Sequence, residues 1–171
     1  TFYTPVSSNN YRNAPIGEWG EETETYVWLR RVVRAFHRDY GALLTRLVHK
    51  GVYAVKKSYA GMPIYGDAHA RGELVHDVVS MHKLPGLIAF FEDADGTHYV
   101  MLQNNSPYES GMFYFVLDPQ TRAVLRVKDN GRRETDFASA HWDAYYMKKD
   151  DETHAGIWLA PGQMEFFRFV R

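Results

Sequence analysis

Between Tyr26 and Val48 apolar side chains recur at steps of three and four: Tyr26, Leu29, Val33, Phe36 and Tyr40, then Leu43, Leu44, Leu47 and Val48. That period predicts one face of a helix. The opposite face carries Arg30, Arg31, Arg34, Arg38 and Asp39. Thr23 is the expected N-cap, and Glu21, Glu22 and Glu24 lie where the helix dipole favours negative charge. Gly41 predicts a break or kink into two helices, because glycine inside a helix costs about 1 kcal/mol relative to alanine. Ahead of the helix, Thr1 to Pro5 reads as a short strand and Val6 to Gly20 as a polar stretch rich in turn formers.

From Leu74 onward the period shortens. HDVVSMH, GLIAFFE, THYVMLQ, MFYFVLD, AVLRVKD, DAYYMKK, AGIWLA and MEFFRFV are short runs rich in β-branched and aromatic residues. Turn chemistry separates them: EDADG, NNSPYESG, DPQT, DNG, KDDETH and APG. Asp95-Gly96 and Asn130-Gly131 are dipeptides that type I′ hairpin turns prefer, since both positions tolerate positive φ. Runs at roughly 8–12-residue spacing with no helical period between them predict an antiparallel β-sandwich. The expected fold is therefore mainly β, an antiparallel sandwich preceded by a β-α segment. Residues 1–57 form the strand-loop-helix segment, 58–73 a linker loop and 74–171 the sandwich. A β-α unit cannot bury both its faces unaided, so the helix either lies on the sandwich or belongs to a larger domain.

Composition narrows the chemistry. The 171 residues contain no cysteine, which excludes a disulfide scaffold, a thiol nucleophile and Cys-based metal sites. The compartment stays undecided, because a core of this size needs no staples. The net charge is -1, but residues 1–60 carry an excess of four basic side chains and residues 61–171 an excess of five acidic ones. A balanced total with no base-reading motif points to no nucleic-acid partner, and the arginine face reads as a solvated helix face. No run of 18 apolar residues occurs, the first residues read as no signal peptide, and no membrane partner is expected. A complete (β/α)₈ barrel needs at least about 200 residues, so this chain is not one.

The order of elements resembles the C-terminal end of galactosidase-like TIM-barrel glycoside hydrolases. The segments that carry the likeness are TFYTP (Thr1 to Pro5), APIGEWGEET (Ala14 to Thr23), TYVWLRRVVRAFHRDYGALLTRL (Thr25 to Leu47) and GVYAV (Gly51 to Val55). In the sandwich they are HYVMLQNNSPYESGMFYFVLD (His98 to Asp118) and WLAPGQMEFFRF (Trp158 to Phe169). The resemblance implies that the eighth barrel strand and helix lead into a C-terminal sandwich. It implies a glycosidase for the complete protein, whose chemistry needs two carboxylates. In barrels of this kind those sit at the ends of the fourth and seventh strands, so they would lie outside this chain. No catalytic residue is carried over, and the chain alone is not expected to be catalytic. The partners implied are a carbohydrate and the remainder of the glycosidase, or another chain, covering the helix.

If a sugar subsite survives here, it is the loop after the eighth strand, because βα loops build barrel active sites. Tyr11 and Trp19 suit the apolar face of a pyranose, while Asn9, Asn10 and Arg12 suit its hydroxyls. The competing reading packs Tyr11 and Trp19 against the helix start or the barrel wall. In the sandwich, Trp142, Tyr145, Tyr146, Trp158 and Tyr108 form a carbohydrate platform if exposed and core if buried, which makes a free-standing carbohydrate-binding module the alternative function. No cofactor or metal is expected: His76 with His82, and His37 with His49, lack ligand spacing. Asp93, Asp95 and the Asp150-Asp151-Glu152 run read as solvated turns rather than calcium ligands. The serines lack a nucleophile elbow, and the glycines form no phosphate loop.

Overall fold

The computed structural model describes residues 14–17, 19–66, 74–137, 144–149 (backbone only) and 152–171. The chain is mainly β. Among the described residues, ten strands follow α1 Glu24–Phe36: β1 Val48–Val55, β2 Val75–Ser80, β3 Gly86–Glu92, β4 His98–Asn104 and β5 Gly111–Leu117. β6 Ala123–Lys128, β7 Arg133–Asp136, β8 Ala144–Lys149, β9 Glu152–Leu159 and β10 Met164–Val170 complete them. They form a six-stranded sheet, β1-β3-β4-β10-β6-β7, and a four-stranded sheet, β2-β5-β9-β8. All pairings between neighbouring strands are antiparallel. The two-sheet architecture expected from the period-two runs is present. The strand expected over Thr1 to Pro5 lies outside the described residues.

Strand alternation divides the six-stranded sheet cleanly. Val100, Leu102, Val124, Phe167 and Phe169 face Phe113, Phe115, Ala155, Ile157 and Leu159 of the four-stranded sheet in one buried core. Phe115 meets Phe167 edge-on at 5.2 Å between ring centroids, and Phe137 stacks on Phe167 at 5.3 Å. The residues of opposite parity, Phe91, Tyr99, Met101, Val127 and Phe166, form a second cluster outside the sandwich with Tyr40, Leu43, Leu44 and Leu47. The apolar surplus of this sheet therefore serves two interfaces, one per face.

Two strands were not legible from the runs. β7 reads RETD and is an edge strand with no buried side chain, so it carries no apolar alternation. β1 lies in the segment expected to belong with the helix, yet it pairs with β3 from Val48 opposite Glu92 to Val55 opposite Gly86, with a register shift between His49 and Gly51. The sheet thus begins ahead of residue 58. The segment expected to link two domains connects two strands of the sandwich instead. Its first part is anchored: Ala54 exchanges backbone bonds with Pro63 and Tyr65, and Tyr65 is buried with its hydroxyl on the Val75 carbonyl.

The turns follow local chemistry. Asn130 (φ 56) and Gly131 (φ 89) form the expected type I′ turn, closed by Arg132 N–H on the Asp129 carbonyl at 3.1 Å. The Asp93 to Thr97 loop has one left-handed residue, Gly96 (φ 78), and Asp93 accepts from the Asp95 and Thr97 amides at 3.0 and 2.9 Å. Fully buried Asn104 shapes the next loop, donating to the Glu109 and Leu159 carbonyls and accepting from Ser106 N–H.

Candidate functional site

Among the described residues, α1 stands out because none of its side chains is buried. Its start is as expected: Thr23 Oγ1 accepts from Tyr26 N–H at 3.4 Å and donates to the Ala14 and Pro15 carbonyls at 2.6 and 3.0 Å. The first turn holds no free carboxylate row. Glu22 pairs with Arg30 at 3.3 Å, and Glu24 accepts from the Trp28 indole at 3.3 Å. At 100° per residue, Trp28, Leu29, Val32, Val33 and Phe36 share one side and Arg30, Arg31, Arg34 and Arg38 the other.

That apolar side is uncovered. No residue of α1 is buried; Trp28 is 53% exposed, Val32 63% and Val33 43%. Each large apolar side chain left in water forgoes about 1.5–3 kcal/mol relative to burial.

Among the described residues, the packing and hydrogen bonds that join this region to the sandwich follow α1. The chain passes through a π-turn, His37–Gly41, and one α-turn, Ala42–Leu44. Gly41 keeps helical angles (φ -55, ψ -53), so the expected break is instead a widening of the helix. Tyr40 packs on Phe166 at 5.7 Å, and its hydroxyl accepts from Lys128 Nζ at 2.6 Å. Beside it, Glu165 is 2% exposed and takes Arg126 Nη2 at 2.8 Å, Lys128 Nζ at 2.8 Å and Gln163 Nε2 at 3.0 Å. Burial alone would raise the Glu165 pKa, but hydrogen bonds and charge from Arg126 and Lys128 outweigh it and hold it below the ordinary value. Burial, and then the Glu165 charge, push the Tyr40 hydroxyl well above its ordinary value, so Tyr40 stays neutral. No spacing rule relates Tyr40 to Glu165, which are 125 positions apart. These bonds join the chain after α1 to β6 and β10.

Of the expected sugar-loop residues, Tyr11, Asn9, Asn10 and Arg12 lie outside the described residues. Trp19 is at the tip of a small hairpin over Ala14 to Thr23, bridged at Ile16 and Glu22 and turned at Gly20 (φ 85). Trp19 is 89% exposed and its amide bonds the Glu21 carboxylate at 3.0 Å. It does not pack against the helix start.

In the sandwich, Tyr108 is 89% and Trp158 38% exposed, the latter opposite Met112 in the β5–β9 register. Trp142 and the side chains of Tyr145 and Tyr146 lie outside the described residues. His76 pairs with Asp118 at 2.9 Å, and the described residues contain no group of three or more potential metal ligands. No described helix is long and apolar enough to cross a membrane.

These features define a class: an antiparallel β-sandwich bearing an amphipathic helix that has no buried residue among those described. Comparison with protein-family models, characterised proteins and solved structures finds no match.

Proposed function

We propose that this chain is the C-terminal portion of a glycoside hydrolase-like protein, in which the sandwich is a structural, accessory part and the catalytic carboxylates lie outside these residues. The observation that supports the reading is the uncovered stripe Trp28–Leu29–Val32–Val33–Phe36. A helix that closes a (β/α)₈ barrel turns such a stripe inward onto the strands and its arginines outward to water. Among the described residues, the sandwich packs on the chain that follows α1, as an anchor for that helix would. Trp19 is the one described residue of the expected sugar-loop set, and its exposure leaves its ring free to stack on a sugar.

Two measurements test this together. Residues 1–171 alone are expected to cleave no aryl-glycoside, and Trp28 fluorescence, read in a variant whose Trp19, Trp142 and Trp158 are replaced by Phe, is expected to be quenched by acrylamide. In the longer polypeptide, Trp28 becomes shielded and turnover appears. Turnover by the 171 residues that is lost on replacing one of their own carboxylates overturns the reading.

The exposure of Tyr108 and Trp158 favours a second reading, a carbohydrate-binding sandwich. It expects saturable binding to a polysaccharide, weakened by Trp158→Ala. Flat titrations across a glycan panel remove it.

A further inference from the structure

The π-turn at His37–Gly41 has a specific partner. Asn130 Oδ1 accepts from Ala42 N–H at 2.8 Å and from Leu43 N–H at 3.3 Å, while its Nδ2 donates to the Arg38 carbonyl at 2.8 Å and the His37 carbonyl at 3.5 Å. In an uninterrupted α-helix, Ala42 N–H and the Arg38 carbonyl bond each other. The carboxamide has therefore been inserted into one rung of the helical ladder, a recognised cause of helix distortion. A π-turn equals one extra residue in an α-helix and is otherwise rare. Asn130 also occupies the left-handed region (φ 56) of the β6–β7 turn, which asparagine tolerates, and Arg46 bonds its carbonyl at 3.3 Å. One side chain thus ties the sandwich hairpin to the helix register.

We infer that Asn130 is a positioning residue that sets the rotational register of α1, and with it the direction in which the apolar stripe faces relative to the sandwich. Without the carboxamide, the widened turn loses the partner for its unpaired backbone groups and relaxes to α-helical pairing. The residue accommodated by the π-turn then has to be absorbed upstream. α1 turns by about 100° and advances by about 1.5 Å, carrying Trp28, Val32 and Phe36 away from the surface they are set to meet. The inference concerns orientation alone and goes beyond the proposed function, standing whether the covering surface is a barrel or another protein.

The absence of cysteine makes the test direct. Spin labels on Arg34→Cys in α1 and Gln120→Cys in the β5–β6 turn report the helix-to-sandwich distance in the full 171-residue chain. Asn130→Gly keeps the left-handed turn and removes only the carboxamide. The distance is expected to move by several ångström, up to about 8 Å for a side chain on the helix circumference. Deleting Arg38 in the Asn130→Gly background removes the extra residue and is expected to restore the parent distance. Asn130→Asp, which accepts from the two amides but no longer donates to the carbonyls, supplies a second variant that also tolerates the turn. It is expected to shift in the same direction. A merely structural role lowers stability without a register shift that a one-residue deletion repairs. An unchanged distance in both variants, or a shift that the deletion fails to restore, overturns the inference.

Discussion

Replacing Glu165 by glutamine removes a charge while keeping the shape of the side chain, and the structure sets the size of the response. Glu165 receives a fork from Arg126 (Nη2 at 2.8 Å, Nε at 3.1 Å) and a third bond from Lys128 at 2.8 Å. Hydrogen bonds to charged groups contribute about 1.5–3 kcal/mol each. The full sum is not lost, because the Arg126 and Lys128 side chains remain 23% and 21% exposed and can be rehydrated, and the glutamine oxygen still accepts from one of them. The expected loss is about 2 kcal/mol near neutral pH. Its pH dependence is the sharper test. The folded-state pKa lies below the ordinary value of 4.5, so the carboxylate's contribution is complete above that value and is lost as the pH falls through the folded pKa. Urea unfolding followed by circular dichroism, on both proteins from about pH 7 to about pH 3, gives the difference directly. It should be largest at neutral pH and shrink below the ordinary carboxyl range. A difference that is constant with pH, or that grows as the pH falls, refutes the assignment of Glu165 as an ionised, cation-held carboxylate.

Two further expectations contrast the core with the uncovered helix. Phe167→Ala removes a fully buried ring packed on Phe115 and Phe137, and should cost about 3–5 kcal/mol in the same unfolding measurement. Trp28→Ser with Val32→Ser alters exposed side chains and should change stability by no more than about 0.5 kcal/mol per site, while reducing any concentration-dependent self-association seen by sedimentation. A large loss of stability in the helix variant would show that the stripe is already packed in this chain.

Local physics reaches a few residues along the chain, and what it governs was legible in the sequence. The three-and-four spacing from Tyr26 placed the helix, Thr23 its cap, and Asn130-Gly131 the type I′ turn between β6 and β7. Alternation placed the strands from β2 onward, except β7, whose RETD holds no apolar residue to alternate. Leu29, Val33 and Phe36 of the exposed stripe were legible as a pattern but Trp28 and Val32 were not, and periodicity says which residues share a face and not whether anything covers it. The tertiary structure decided the rest. β1 joins the sheet through β3, the helix widens where Asn130 enters its ladder from 88 positions away, and Glu165 is buried among cations drawn from β6. The physical reason is common to all three. Each depends on groups brought together by chain folding, whose bonding strength lies in their geometry and shelter from water, and neither property is written in the spacing of residues along the chain.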